Sequence, residues 1–312
     1  MSKINKGENI IKVENLVIAY GSFKAVNDIS FDVKRGEIFG FLGANGAGKT
    51  TTIRTLCGIL SPTAGRVFVR GRDVSGSIKE LKPLIGYMSQ KFTLYFDLSV
   101  KENLEFAGAL YGLNAAAVKR RSRELMSFIN FTGDVNLPAG ALSGGTRQLC
   151  ALCAALLHNP EIIFLDEPTA GVAPQVREDF WRLISYLSCE GKTIFVTTHY
   201  MDEAEKCHRI VLMDAGKIIA FDTPDNLKKS YFPLKVQELI FKDNLQEKIK
   251  NEINTLKLGQ ADIYGQTVRV FIEDKNAFEA YAKSRAGVFS VRQTLPDMED
   301  VFLKAVARKG GL

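Results

Sequence analysis

A chain of 312 residues, 46% hydrophobic and 24% charged, has the composition of an ordinary globular protein and enough length for about two domains. Its longest helix-prone apolar run, Leu149–Leu157, has nine residues where a spanning helix needs about 20, so no segment is expected to cross a membrane. The net charge of +6 is spread out, with 26 basic against 23 acidic side chains in residues 1–224 and 15 against 12 in residues 225–312, which excludes a basic arm and argues against a nucleic-acid partner.

The opening decapeptide, MSKINKGENI, carries no apolar leader, so a cytosolic location is expected. Ile10–Tyr20 and Ala25–Lys34 read as strands, followed by a short apolar strand, Glu37–Leu42. A glycine-rich turn leads into a helix from about Lys49 to Cys57, closed by Gly58. Ser99 with Glu102 forms a capping-box pattern opening a helix toward Tyr111, and a further helical stretch covers about Ala115–Asn130. The short basic run Lys119, Arg120, Arg121 and Arg123 falls there and reads as a solvated face. Ser143 caps a helix running to His158, Ile162–Leu165 is a buried strand, and a helix from about Gln175 to Glu190 leads to the strand Thr193–Thr197. Strands near Arg209–Met213 and Lys217–Phe221 close this region. Strands alternating with helices predict an α/β fold with a mostly parallel sheet covered on both faces.

At Asp222-Thr-Pro-Asp the turn signals cluster and the pattern changes. Beyond it the chain reads helix, strand, helix, strand, strand, helix, strand, helix, which predicts a small α+β domain over residues 225–312, after a first domain over 1–224. Of the five cysteines, Cys150 and Cys153 form a lone CxxC inside LCALCAALL, a buried-helix context in which thiols act as small apolar residues rather than as metal ligands.

Three motifs carry chemistry. Gly43-Ala-Asn-Gly-Ala-Gly-Lys-Thr50 fits G-x-x-x-x-G-K-[ST] between an apolar strand and a helix, the context in which backbone N–H groups cradle phosphates. Lys49 there reaches the β- and γ-phosphates, and the Thr50 hydroxyl is a Mg²⁺ ligand. Ile162-Ile-Phe-Leu-Asp-Glu167 ends a buried strand on two carboxylates, which is costly unless something cationic sits beside them. Asp166 suits Mg²⁺ held through water and Glu167 the attacking water, as base or as orienter. Leu142-Ser-Gly-Gly-Thr146 opens a helix with two glycines, each costing about 1 kcal/mol against alanine, a cost that makes sense if a backbone or an anion must approach closely.

Together these motifs resemble the ATPase subunits of ABC transporters over roughly residues 10–224. GANGAGKT is similar to their phosphate loop, IIFLDE to their Mg²⁺ strand and LSGGT to their signature. In the same order, Gln90 stands at the family's metal- and water-contacting glutamine, His199 at its γ-phosphate switch histidine, and Tyr20 at the aromatic that stacks on adenine. The resemblance implies a P-loop NTPase fold with an antiparallel-strand subdomain and a helical subdomain at about residues 90–160. It implies ATP held by Tyr20, Gly43, Ala44, Asn45, Gly46, Ala47, Gly48, Lys49, Thr50, Thr51 and Gln90, with Mg²⁺ on Thr50, Gln90 and Asp166. Glu167, His199 and Lys49 become the catalytic residues. Two such domains are expected to face head to tail, each completing the partner's site with Ser143, Gly144, Gly145 and Thr146, as a homodimer or a paired ATPase.

The region near Phe92–Phe96 matches the segment that contacts integral-membrane permease subunits, so the chain is expected at the cytoplasmic side of the membrane. Leu295-Pro-Asp-Met-Glu-Asp-Val-Phe-Leu303 resembles the ending of drug-export ATPases of the daunorubicin-resistance type, which implies export of drugs or other hydrophobic compounds. Three positions depart from the family pattern: Thr146 replaces a glutamine, Leu149 an arginine, and Ala173 the aspartate of the D-loop Thr169-Ala-Gly-Val-Ala-Pro174. Two alternatives stand beside a transport ATPase: a soluble ABC-type ATPase not tied to transport, and a nucleotide-binding scaffold with impaired hydrolysis, which Ala173 and Thr146 make conceivable.

Overall fold

The computed structural model describes residues 7–90, 94–234, 236–241 and 243–310. The chain divides into two compact units, residues 1–223 and 224–312, one residue before the expected boundary.

The first unit runs β1 (Asn9–Tyr20), β2 (Phe23–Lys34), β3 (Ile38–Gly43), α1 (Lys49–Leu56), β4 (Ala64–Val69), β5 (Arg72–Asp73), α2 (Val74–Leu81) and β6 (Ile85–Met88). It continues through α3 (Val100–Leu110), α4 (Ala115–Phe128), α5 (Gly144–Leu156), β7 (Ile162–Asp166), α6 (Pro174–Cys189), β8 (Thr193–Thr198), α7 (Met201–Ala204), β9 (Arg209–Asp214) and β10 (Lys217–Asp222). One sheet has the order β10-β9-β3-β8-β7-β6 and is parallel except for β10. A second, antiparallel sheet has the order β2-β1-β4-β5.

Every residue of β3, β7 and β8 is buried, as expected of central parallel strands covered on both faces. The two sheets meet through aromatic rings: Phe31 of β2 lies with its centroid 5.6 Å from Phe39 and 5.4 Å from Phe41, and both of those pack on Phe195 of β8. Helices α3, α4 and α5 form the helical part. Ser99 caps α3 through the reciprocal Glu102 bonds read in the sequence, and Asn114 caps α4. Cys150 and Cys153 are buried and free in α5, and burial pushes the Cys150 thiol up to about 12.

Sequence patterning missed β4, β5, α2, β6 and α7. These pieces are short, and β4 is buried at only two of its six positions, so they carry little periodicity. They are ordered by partners distant in sequence: β4 by β1, and β6 by β7.

The second unit contains α8 (Pro224–Tyr231), β11 (Val236–Phe241), α9 (Gln246–Thr255), β12 (Gly259–Tyr264), β13 (Thr267–Ile272), α10 (Lys275–Ser284), β14 (Phe289–Thr294) and α11 (Met298–Gly310), the order expected from the sequence. Its antiparallel sheet, β12-β13-β11-β14, packs Leu239, Val268 and Val270 against Ile249, Ile253 and Phe278. The Pro-Asp-Met-Glu-Asp segment is a structural device there. Asp297 N donates to Asp300 Oδ2 at 2.9 Å and Asp300 N donates to Asp297 Oδ1 at 3.0 Å, closing the start of α11. Arg269 of β13 bridges both carboxylates at 2.8 and 3.3 Å.

Candidate nucleotide site

The register of the parallel sheet brings the predicted chemistry together. Leu42 of β3 pairs with Thr198 of β8, and Asp166 of β7 pairs with Thr197, so three loops leave the sheet side by side at the C-terminal ends of its strands. That edge is where open parallel sheets place ligands.

The phosphate loop starts from β3 and enters α1 at Gly48, whose φ of 106° and proximity to the Ala25 carbonyl, 2.4 Å from where a Cβ would stand, leave room only for glycine. Lys49 is buried. Its Nζ donates to Gly43 O at 2.8 Å and Ala44 O at 3.1 Å and lies 3.1 Å from Glu167 Oε1. Thr50 Oγ1 donates to Asp166 Oδ1 at 3.1 Å, and Thr197 Oγ1 donates to the same oxygen at 2.7 Å. Burial pushes the Asp166 carboxyl above its ordinary range, while these two hydroxyls pull it down. The other oxygen, Asp166 Oδ2, is buried with no hydrogen-bond partner.

Glu167 has φ 47°, a left-handed conformation that turns it away from the line of the strand. Its N–H donates to Thr197 O at 3.1 Å and Thr197 Oγ1 at 2.9 Å, which holds the turn. Both carboxylate oxygens are engaged within the chain. Lys49 meets one oxygen, while Gln90 Nε2 donates to the other at 3.0 Å and His199 Nδ1 lies 3.3 Å from it. The cation beside the buried Glu167 carboxylate is therefore Lys49, and Gln90 and His199, distant in sequence, converge on the same group. Thr197 was not singled out in the sequence, because a buried strand threonine has no signature of its own.

Ser143 caps α5, its Oγ accepting from Thr146 N at 3.2 Å and lying 2.9 Å from Thr146 Oγ1. The two glycines differ. A Cβ on Gly144 would meet nothing within 4 Å, whereas one on Gly145 would stand 2.8 Å from Val176 Cγ2 of α6. Gly145 thus serves packing within the chain, which narrows the expected open surface to Ser143 and Gly144. Buried Gln148 Nε2 donates to Pro168 O at 2.9 Å and ties α5 to the loop after Glu167, a link that sequence reading missed. Ala173 is the N-cap of α6 and supplies no capping bond.

Tyr20 is 55% exposed at the tip of the β1–β2 hairpin, paired directly with Phe23. Tyr95 and Phe96 are half exposed beside α3, the Tyr95 ring 5.1 Å from Phe106. Phe92 lies outside the described residues. Among the described residues no helix is long and apolar enough to cross a membrane.

Comparison with known proteins agrees with this geometry. The family model described as ABC transporter matches residues 26–170. Nod factor export ATP-binding protein I of Burkholderia lata is 33% identical over 300 residues, covering 96% of this chain and 97% of that protein. The chain belongs to the ABC transporter ATP-binding proteins. It is thus built on the P-loop fold of that family. The probable multidrug ABC transporter ATP-binding protein YbhF of Escherichia coli is 44% identical over 222 residues, 71% of this chain, although the aligned region spans only 38% of YbhF. Among solved ABC cassettes, the dimeric post-hydrolysis state of MJ0796 bound to ADP and Pi superposes with a TM-score of 0.63 at 25% identity, covering 68% of this chain and 98% of that one.

Proposed function

We propose that two copies of this chain, or this chain and a paired ATPase, close around two ATP molecules and power a separate export permease for drugs or other hydrophobic compounds. The observation that carries the reading is the convergence of Lys49, Gln90 and His199 on the Glu167 carboxylate at the end of β7. With ATP present, Lys49 and the loop Gly43–Thr51 hold the phosphates, and Tyr20 offers its exposed ring to adenine. Released from Lys49, Glu167 accepts the proton of the attacking water, while Gln90 orients that water and His199 holds the γ-phosphate. The free buried oxygen of Asp166, on the carboxylate that receives the Thr50 hydroxyl, fits a Mg²⁺ site that Thr50, Asp166 and Gln90 would hold. Mg²⁺ bound there would neutralise phosphate charge.

Ser143 and Gly144, with Gly145 and Thr146 behind them, present a helix start to the partner's γ-phosphate. The names of the relatives, a multidrug transporter component and an export protein, support export. The exposed rings of Tyr95 and Phe96 supply the surface for the permease at the cytoplasmic face of the membrane.

Mixing two inactive variants, Lys49→Ala and Ser143→Arg, tests the head-to-tail arrangement. The heterodimer contains one site with both parts intact, so the mixture regains turnover that neither has alone. No recovery at any ratio contradicts the in-trans role of Ser143. Purification from detergent-solubilised membranes should bring down an integral-membrane protein with the chain, and replacing Tyr95 and Phe96 by alanine should release it.

A further inference from the structure

Nucleotide chemistry at the loop and the two carboxylates has no evident need of Glu203, yet this side chain is completely buried on α7, four residues after His199. Its Oε1 accepts a hydrogen bond from Thr169 Oγ1 at 2.6 Å and lies 3.7 Å from Arg177 Nε, and its Oε2 is buried without a hydrogen-bond partner. Arg177, in the first turn of α6, spreads its guanidinium 4.0 Å from the centroid of the Tyr200 ring and reaches Asp202 at 3.3 Å.

A buried carboxylate with one hydroxyl and one loosely placed cation is a poor way to stabilise a fold, since well-packed apolar groups at such sites are often neutral or better. What the arrangement supplies is a connection. Thr169 follows Glu167 by two residues, in a turn closed by Ala170 N donating to Glu167 O at 3.2 Å. Tyr200 follows His199, and their rings lie 4.2 Å apart. Glu203 therefore joins the loop that leaves β7 with Glu167 to the loop that leaves β8 with His199, and Arg177 clamps both to α6. At Ala173, in the same loop, there is no carboxylate to contribute a second link.

We propose that Glu203 is a positioning residue for hydrolysis. Through Thr169 and Arg177 it holds the Glu167 and His199 loops in register, so that the base and the phosphate contact face one γ-phosphate together. The inference rests on the proposed roles of Glu167 and His199.

The test is a double-mutant cycle with Glu203→Gln, which keeps shape and a carbonyl oxygen but removes the charge held by Arg177, and Thr169→Val, which removes only the hydroxyl. Phosphate release from Mg-ATP is measured on the full chain, with Glu167→Gln as reference. Each single variant should lower kcat about tenfold while KM for ATP, equilibrium nucleotide affinity and melting temperature stay near wild type. The double variant should lose no more than the worse single, because both cut one connection. Wild-type kcat in Glu203→Gln alongside an inactive Glu167→Gln overturns the inference and leaves the catalytic reading standing. Full turnover in Glu167→Gln removes that reading itself. A raised KM, a loss that follows melting temperature, or losses that multiply in the double variant also overturns it, since each marks ordinary structural damage.

Discussion

Replacing Glu167 by glutamine separates the two roles proposed for its carboxylate, partner of Lys49 and catalytic base. Glu167 neutralises Lys49, 3.1 Å away in a buried setting, and in the proposed reading ATP phosphates displace it. Unit charges at that distance attract by about 5 kcal/mol at an effective dielectric constant of about 20. Most of this does not appear in binding. The carboxylate regains several kcal/mol of solvation when the pair opens, and Lys49 keeps its bonds to Gly43 O and Ala44 O. Glutamine also restores about 1 kcal/mol as a neutral hydrogen bond. The expected net effect is about 1 kcal/mol in favour of nucleotide, roughly a fivefold gain in affinity. Turnover should fall by about 10²–10⁴, the usual contribution of a positioned acid–base group. Titration calorimetry with ATP gives the first quantity, and phosphate release at saturating Mg-ATP gives the second. Size-exclusion chromatography with ATP should show the variant as a stable dimer. Weaker ATP binding would refute the competition between Glu167 and the phosphates for Lys49, and wild-type turnover would refute Glu167 as the base.

His158 stacks on Tyr111 with centroids 3.5 Å apart, and burial pushes its pKa down to about 4 from about 6.5. The unfolded chain therefore takes up a proton between those values that the folded chain refuses, so stability falls as pH drops from about 6.5 to about 4. His158→Phe keeps the stack and should melt with a shallower dependence over that window; an unchanged slope contradicts the assignment. Gly144→Ala should leave the isolated chain as stable or slightly more so but impair the ATP-bound dimer. Gly145→Ala, facing Val176, should cost about 1–3 kcal/mol by denaturant titration in the monomer itself. Equal effects of the two would contradict the separate surroundings of these glycines. Ala173→Asp should supply the N-cap that α6 lacks and raise stability by about 1 kcal/mol, read as a higher denaturation midpoint.

Features governed by neighbours along the chain were legible before folding. Gly43–Thr50 is a loop whose glycines, lysine and threonine act at fixed short spacing, so its chemistry is local. The strands β3, β7 and β8 show themselves as unbroken apolar runs because both their faces are covered. The cap at Ser99 and the element order of the second unit follow from turn and capping residues a few positions apart. That Gln90 and His199 belong to the nucleotide site was expected only through family resemblance, and their meeting on the Glu167 carboxylate came from the structure, since no local rule links residues so far apart.

Other parts depended on the register of the parallel sheet, which pairs β3 with β8 and β9, segments far from it in sequence. That register placed Thr197 against Asp166, whose Oδ1 also receives the Thr50 hydroxyl, and the loops it aligns bring Lys49 beside Glu167. Packing of α5 on α6 separated Gly145 from Gly144, and Gln148 was tied to Pro168 across a distance that periodicity cannot see. The short strands β4, β5 and β6 became visible only with their partners, because a strand of two to six residues draws its stability from the neighbour it pairs with. Sequence alone thus determined that this chain binds and uses a nucleoside triphosphate. Tertiary structure decided which side chains surround the Glu167 carboxylate, because contacts between distant segments exist only once the sheet has brought their ends together.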